Sequence, residues 1–480
     1  MPVGDGDFLM NTVRPWFVLA MLAVSLPAAG QSVGERIVAR AEALEKKTRC
    51  VVGVSVTELT GGKSVASYRA NDLFTPASNM KLVTSLVAMH KLGADFQFKT
   101  TVYLLDKDVV VAGGFDPLLG DPRVAADEKR SIYDDLDVWA GAVKRVSGGE
   151  INDVIVLTDG SPKTYRHADW PANQFGRWYS APVAALNFNN NCIDVTFRAD
   201  PAGPVPLLSP ESRYFTVNNR IKAGNEAVWN LTFAAGDATV TITGTARASN
   251  SPQSTAVNDP PMLLARTLAD RLARADVTIG GKLRAAASAD VPLDKARPVA
   301  QTSTPLSLVL HRANKQSQNM VAECMLLAAG DGTWAGSAVL AGKTLADLGL
   351  TQRQFVVADG SGYSRHNRVT PAAMTTLLTK ALSMKGSDAF LASLAVGGVD
   401  GTMSRRLAGE AKGRVLAKTG YIAGVSCLSG YVLDADGKPV YAFSVLVNKT
   451  TDLSAARTFQ DEVCDMLVKA MKPRQATSDK

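Results

Sequence analysis

Histidine and cysteine are both scarce in this 480-residue chain, at four and five copies, and neither forms a ligand set. His90, His167, His311 and His366 are scattered and no H-E-x-x-H occurs, which argues against a zinc peptidase. No G-x-S-x-G elbow accompanies them, so a Ser-His-Asp site has no support either. The cysteines, Cys50, Cys192, Cys324, Cys427 and Cys464, lack any C-x-x-C spacing and are odd in number. They make neither a disulfide framework nor a zinc site, and most sit among apolar neighbours as small buried side chains do. An oxidising compartment permits one bridge without selecting the pair. Basic charge forms no block: the net +7 is spread along the chain, which leaves nucleic-acid binding unsupported. There is no internal repeat and no low-complexity tract.

Long apolar runs are also missing, with one exception. Residues 16–26 are uncharged and apolar, follow Arg14, and lead into the small residues Pro27-Ala28-Ala29-Gly30. That pattern predicts a secretory signal over 1–30, too short for a comfortable membrane span, although Asp5 and Asp7 are unusual there and Met10 offers a cleaner start. The expectation is an exported protein, periplasmic or extracytoplasmic, with no stable membrane anchor after cleavage. The polar stretch after Lys472 reads as a frayed tail.

What is present is ample. At 46% hydrophobic and 20% charged, the chain can bury a large core spread over two or three domains. Apolar spacing predicts a helix over 33–47 and strands over 50–59 and 64–69. At the other end, 414–422, 425–433 and 440–447 read as strands and 453–471 as a helix. These pieces predict one five-stranded antiparallel sheet covered by the terminal helices, an α+β arrangement that brings the two chain ends together. The stretch 97–297 differs: short β-type runs at 101–105, 109–112, 153–157, 193–197, 227–233 and 238–245 alternate with Gly, Pro, Asn and Asp. The expected organisation is a main domain of 31–96 and 298–480 around an inserted region, 97–297, of two β-rich subdomains.

Three short polar motifs carry the chemistry. Ser78-Asn79-Met80-Lys81 falls at a helix start, where the i, i+3 step brings the Ser78 hydroxyl and the Lys81 amine to one face. A serine hydroxyl is nearly inert until its proton is taken, and a lysine desolvated beside Leu82 and Val83 is able to take it. The Ser78 amide, at a helix N-terminus, is a natural oxyanion donor. Ser317-Gln318-Asn319 lies between two apolar helical segments, with Ser317 suited to relay a proton and Asn319 to bind Lys81 and a substrate carbonyl. Lys418-Thr419-Gly420 lies on a strand, where Lys418 adds positive charge, Thr419 binds a terminal carboxylate and Gly420 lets a substrate backbone approach. The amide of Tyr421 is the candidate second oxyanion donor. Any one motif is weak, since S-x-x-K usually marks a solvated helix face and a short polar tripeptide usually marks a helix cap. The ordered set points to acyl transfer on a serine activated without histidine.

With these residues in view, the chain resembles the class C, low-molecular-mass penicillin-binding proteins, the D-alanyl-D-alanine carboxypeptidase/endopeptidases of peptidase family S13. The resemblance rests on Thr75-Pro76-Ala77-Ser78-Asn79-Met80-Lys81, Gly113-Gly114-Phe115-Asp116-Pro117-Leu118 and Ser180-Ala181-Pro182-Val183-Ala184-Ala185-Leu186-Asn187. It continues in Asp359-Gly360-Ser361-Gly362, Gly398-Val399-Asp400-Gly401-Thr402 and Lys418-Thr419-Gly420. It implies a serine-β-lactamase/DD-peptidase-like domain with large, mostly β insertions, and the long spacer from Ser78 to Ser317 argues against a plain class A β-lactamase. It further implies cleavage of peptidoglycan stem peptides through an acyl-enzyme on Ser78, with Lys81 as base, Ser317 and Lys418 protonating the departing amine, and β-lactams as inhibitors. No metal or organic cofactor is implied. In relatives acting on diaminopimelate-containing wall, an acidic residue of the insert and an arginine after Asp-Gly-Ser-Gly hold that side chain; Asp159 and Arg365 are the nearest matches here. Two positions depart from the pattern: Tyr421 replaces a small hydroxyl residue after Lys-Thr-Gly, and Phe115 replaces a glycine before Asp-Pro. The rivals are a β-lactamase or esterase on the same scaffold, and a non-catalytic wall-binding protein.

Overall fold

The computed structural model describes residues 31–160 and 164–471; the expected export signal and the polar tail lie outside the described residues. The chain ends do meet in one antiparallel sheet, in the order Ala395–Val396, Val415–Ile422, Val425–Leu433, Pro439–Asn448, Val51–Glu58, Ser64–Tyr68. All five expected strands are present. The sixth is a two-residue edge piece too short to leave a periodic signature, and it pairs only with Ala417 and Leu416. From Lys418 to Ile422 that edge of the sheet is therefore open.

Period-2 alternation decides what each face buries. Val52, Val54 and Val56, with Phe443, Val445 and Val447, face the terminal helices Val33–Thr48 and Leu453–Ala470, whose Ile37, Ala41, Phe459, Val463 and Leu467 complete that core. The two helices are also tied directly by Arg40 to Glu462. A Ser32–Glu35 capping box starts the first of them. The opposite face, through Tyr431, Ala442 and Leu446, packs on a helical layer holding Leu82, Leu86, Val321, Met325, Leu377 and Leu378. That layer contains the helix Met80–Leu92, the pair Leu306–Lys315 and Asn319–Ala329, and Pro371–Ala381.

The inserted stretch is strand-rich as expected. Its Gln97–Leu105, Asp108–Gly113, Val154–Leu157 and Leu283–Ala286 form a mixed five-stranded sheet with Arg297–Pro305, a strand that runs past the expected end of the insertion at 297. Two three-stranded sheets enclose a small core of Ile193, Val195, Leu231, Val240 and Ile242. It also holds two long helices absent from the pattern-based expectation, Asp134–Ser147 and Pro260–Arg274, which pack Leu136, Trp139, Leu264 and Leu268 on the mixed sheet. In the second, Pro260 and Pro261 occupy the first helical positions behind the Asp259 cap, where proline is tolerated. All five cysteines are buried and free.

One contact couples the fold to the serine turn. Gly362, at φ +82°, packs so closely that a Cβ would lie 1.8 Å from the carbonyl oxygen of Ala77. Gly362→Ala is expected to lower stability by about 1–3 kcal/mol by overpacking and left-handed strain. Urea unfolding followed by tryptophan fluorescence checks this; an unchanged midpoint would remove the claimed contact from the account.

Candidate active site

Ser78 stands in the single 3-10 turn Ala77–Asn79 that runs into the helix Met80–Leu92. Ala77 has φ +45° and Ser317 φ +61°, so two non-glycine residues in left-handed backbone flank the cleft. Backbone strain of this kind persists only where the surroundings over-determine it.

Lys81 is fully buried, and its Nζ meets three oxygens: Ser78 Oγ at 2.9 Å, Asn319 Oδ1 at 2.6 Å and the Ser361 carbonyl at 2.9 Å. Two of these only accept. A neutral amine gives its two N–H bonds to them and turns its lone pair toward the third partner, the Ser78 hydroxyl. Burial pushes the Lys81 amine down from 10.5 to about 7, against the opposing pull of Glu323 and Asp359. The geometry thus makes one proton path cheap, from Ser78 to Lys81.

The Asn319 carboxamide is itself held, since its Nδ2 donates to the Tyr179 carbonyl at 2.7 Å. Tyr179 belongs to the inserted stretch. Lys418, fully buried on its strand, donates to Ser317 Oγ at 2.9 Å and to the Thr419 carbonyl at 2.7 Å. Burial first, and the Lys81 charge second, hold the Lys418 ammonium well below its ordinary value. Gly420 follows on the same face, where a Cβ would lie 2.7 Å from the Pro76 carbonyl. Glycine is needed there because the strand presses against the turn that carries Ser78, a reason the sequence did not reveal. Thr419 and Tyr421 alternate to the other face; Thr419 Oγ1 bonds Thr402 Oγ1 at 2.8 Å, and the Tyr421 ring is 57% exposed.

Two acids complete the setting and were missed from sequence. Glu323, fully buried, accepts from the Gly360 and Ser361 amides at 2.9 and 2.8 Å and from Trp334 Nε1 at 3.0 Å. It therefore holds the loop at the two peptide units just before the Ser361 carbonyl that receives Lys81. Burial, with the neighbouring Asp359 charge, raises the Glu323 carboxyl above its usual range. Asp359 accepts from Trp170 Nε1 at 2.9 Å, from the Gly362 amide at 2.8 Å and from Asn367 Nδ2 at 2.7 Å. The available signal for Glu323 was a lone charge inside the otherwise apolar run Asn319–Ala329.

The remaining two candidates are not brought together. Arg365 is exposed and donates from Nη2 to the Ala423 carbonyl at 2.7 Å, which sets it beside the turn that ends the Lys418 strand. Asp159 is exposed in the inserted stretch and accepts from the Ser288 amide. Its neighbour Gly160 abuts Gly332, beyond the end of the Asn319 helix, where a Cβ would meet the Gly160 carbonyl at 2.2 Å. Among the described residues no group of three or more metal-ligating side chains is assembled.

The chain is similar to known proteins over most of its length. A D-alanyl-D-alanine carboxypeptidase of an Actinomadura species is 30% identical, over 90% of this chain and 85% of that protein. The crystal structure of penicillin-binding protein 4 from Haemophilus influenzae superposes with a TM-score of 0.73 at 22% identity, covering 89% of this chain and 99% of that one. The same protein complexed with a β-lactam superposes with a TM-score of 0.68 at 21% identity and the same coverage. The profile of the D-Ala-D-Ala carboxypeptidase 3 (S13) family matches residues 35–470, and the chain belongs to that family.

Proposed function

We propose that the chain is an exported serine DD-peptidase whose catalytic unit, 31–96 and 298–480, acts on peptidoglycan stem peptides through an acyl-enzyme on Ser78. The observation that carries this is the buried Lys81 amine, held on two carbonyl acceptors with its third contact on Ser78 Oγ. In this mechanism Ser78 Oγ attacks the penultimate D-alanine carbonyl as its proton passes to Lys81 Nζ. The amides of Ser78 and Tyr421 receive the developing oxyanion, the first at a helix start and the second on the open sheet edge. The C–N bond then breaks, and the departing amine takes a proton through Ser317, whose hydroxyl is supplied by Lys418. Water later attacks the ester carbonyl and restores Ser78.

The open edge from Lys418 to Ile422 supports the expectation that the substrate adds as a further strand, with Thr419 meeting its terminal carboxylate. Arg365 and Asp159 are our candidates for the third stem-peptide side chain; Arg365, beside the Ala423 turn, has the stronger positional support. β-Lactams, which bind the Haemophilus relative, are proposed as acylating inhibitors here.

Ser78→Ala is expected to abolish covalent labelling by a fluorescent penicillin while the thermal unfolding midpoint is retained; persistent labelling would exclude this nucleophile. Acylation by benzylpenicillin should rise with pH through about pH 7, where Lys81 loses its proton. At pH 6 about a tenth of the plateau rate should remain, and a flat profile between pH 6 and 8 would sink the base assignment. The sign for stability follows: unfolded lysine keeps its proton to 10.5 and folded Lys81 only to about 7, so this group's contribution to stability rises with pH between them. Glu323→Gln removes an anion that favours the Lys81 ammonium, so the acid limb of the profile should move below pH 7. The plateau rate should also fall, because a carboxamide turns a donor toward one of the two amides that Glu323 now receives.

A further inference from the structure

The middle residue of Ser317-Gln318-Asn319 has no part in the chemistry above, yet it is buried. Gln318 lines a cavity of about 280 Å³ where the inserted stretch meets the helix Leu306–Lys315. That helix contributes Arg312 from its last turn, and Gln316 follows it; the inserted stretch contributes Asn189, Asn190 and Asp194. None of Ser78, Lys81, Ser317, Asn319 or Lys418 is in the lining, so this is a site apart from the cleft. Pockets of this kind occur preferentially where two bodies of structure meet.

Unmet hydrogen-bonding capacity is concentrated here. Asn189 Oδ1, Asn190 Oδ1, Gln316 Oε1 and Gln318 Oε1 are all buried with no partner among the described residues. Asn189, Asn190 and Gln318 are each more than nine-tenths buried. Orphaned polar atoms are costly, and four on one cavity call for something that bonds them. The Asn189 amide cannot simply turn over, because its Nδ2 donates to the Cys192 carbonyl at 2.9 Å and the Ser209 carbonyl at 3.3 Å. Backbone strain marks the same wall: Asn189, Asn190 and Asn191 have φ of 50°, 54° and 54°, although left-handed residues ordinarily occur singly. Asn191 is spent on the fold, donating to the Pro182 carbonyl at 2.8 Å and Asn187 Oδ1 at 2.7 Å, whereas the Asn190 side chain bonds nothing among the described residues.

Both signs of charge are present. Arg312 gives its Nε to buried Asp121 at 2.8 Å, and its two terminal nitrogens have no hydrogen-bond partner among the described residues. Asp194 accepts from Ser254 Oγ and, at 3.4 Å, from Asn189 Nδ2. Burial first, and the Asp121 charge, raise the Asp194 carboxyl above its usual range, a shift that an ammonium beside it would oppose. We propose that this cavity binds a small zwitterion of the free amino acid class, its carboxylate on the terminal nitrogens of Arg312 and its ammonium among the orphaned amide oxygens and Asp194. The volume suits such a ligand, since pockets for larger organic molecules run to roughly 300–1,000 Å³. The inference goes beyond the acyl-enzyme reading, whose reaction releases one molecule of this class, D-alanine.

The test is a ligand-observed NMR titration of the whole protein with D-alanine, and with acetate and methylamine as probes of one charge each. D-Alanine should bind saturably with a Kd on the order of 1 mM, and should bind equally well to protein whose cleft is filled by acylation with benzylpenicillin. Acetate and methylamine should each bind at least about tenfold more weakly, because each meets only one of the two charges. In the double variant Asn190→Gly/Gln316→Ala, D-alanine binding should weaken about tenfold or more while the thermal unfolding midpoint is retained. Glycine keeps the left-handed backbone at 190, and neither change removes a hydrogen bond of the fold. The single-charge probes and the acylated protein need no variant to fold. An absence of saturation, equal binding of acetate or methylamine, loss of D-alanine on acylation, or an unaffected double variant would each overturn the proposal. Failure of Ser78-dependent labelling would instead overturn the acyl-enzyme reading and leave the titration of the untreated protein standing.

Discussion

The arrangement depends on keeping one ammonium group out of water. Lys81 has no exposed surface, and only acceptor geometry and two nearby carboxyls offset the cost of burying its charge. Those acceptors come from three places in the chain: the serine turn, the start of the Asn319 helix and the Asp359-Gly360-Ser361-Gly362 loop. Displacing any of them would return the amine to its ordinary basicity or leave a buried charge unpaired. The sheet, the helical layer and the close contact of Gly362 with Ala77 all serve that enclosure.

The inserted stretch takes part in it. Tyr179 orients the Asn319 carboxamide through its carbonyl, and Trp170 donates to Asp359, which in turn holds the Gly362 amide. The segment that reaches in is pinned by buried Arg166, whose guanidinium donates to the carbonyls of Ser180, Phe175 and Val257. A Gln174–Tyr363 contact and edge-to-face rings of Trp170, Tyr179 and Tyr363 close the same seam. The insertion is thus a wall of the cleft, and small shifts in it would be felt at Lys81 through a single hydrogen bond.

Local pattern made much of the architecture legible. The strands of the main sheet are apolar on alternate or on all positions, and the terminal helices bury residues spaced three and four apart, so period alone separates them. Strands such as Ser249–Ala256 escaped because their residues are mostly polar and exposed and include Pro252; only pairing with Cys192–Arg198 makes them strands. In the site, Ser78, Lys81, Ser317, Asn319 and Lys418 were marked by motif, and they come together. Glu323 and Asp359 matter as much to the Lys81 charge, yet no short spacing links them to it.

The sequence by itself determined which groups were available for chemistry, because hydroxyl, amine and carboxamide are fixed by residue type and their local order by helix and strand periodicity. Only the tertiary structure decided the burial that lowers the basicity of Lys81 and the close approach that requires glycine at 420 and 362. Burial, through-space charge and contact across hundreds of residues are properties of the packed molecule, and local periodicity carries no record of them.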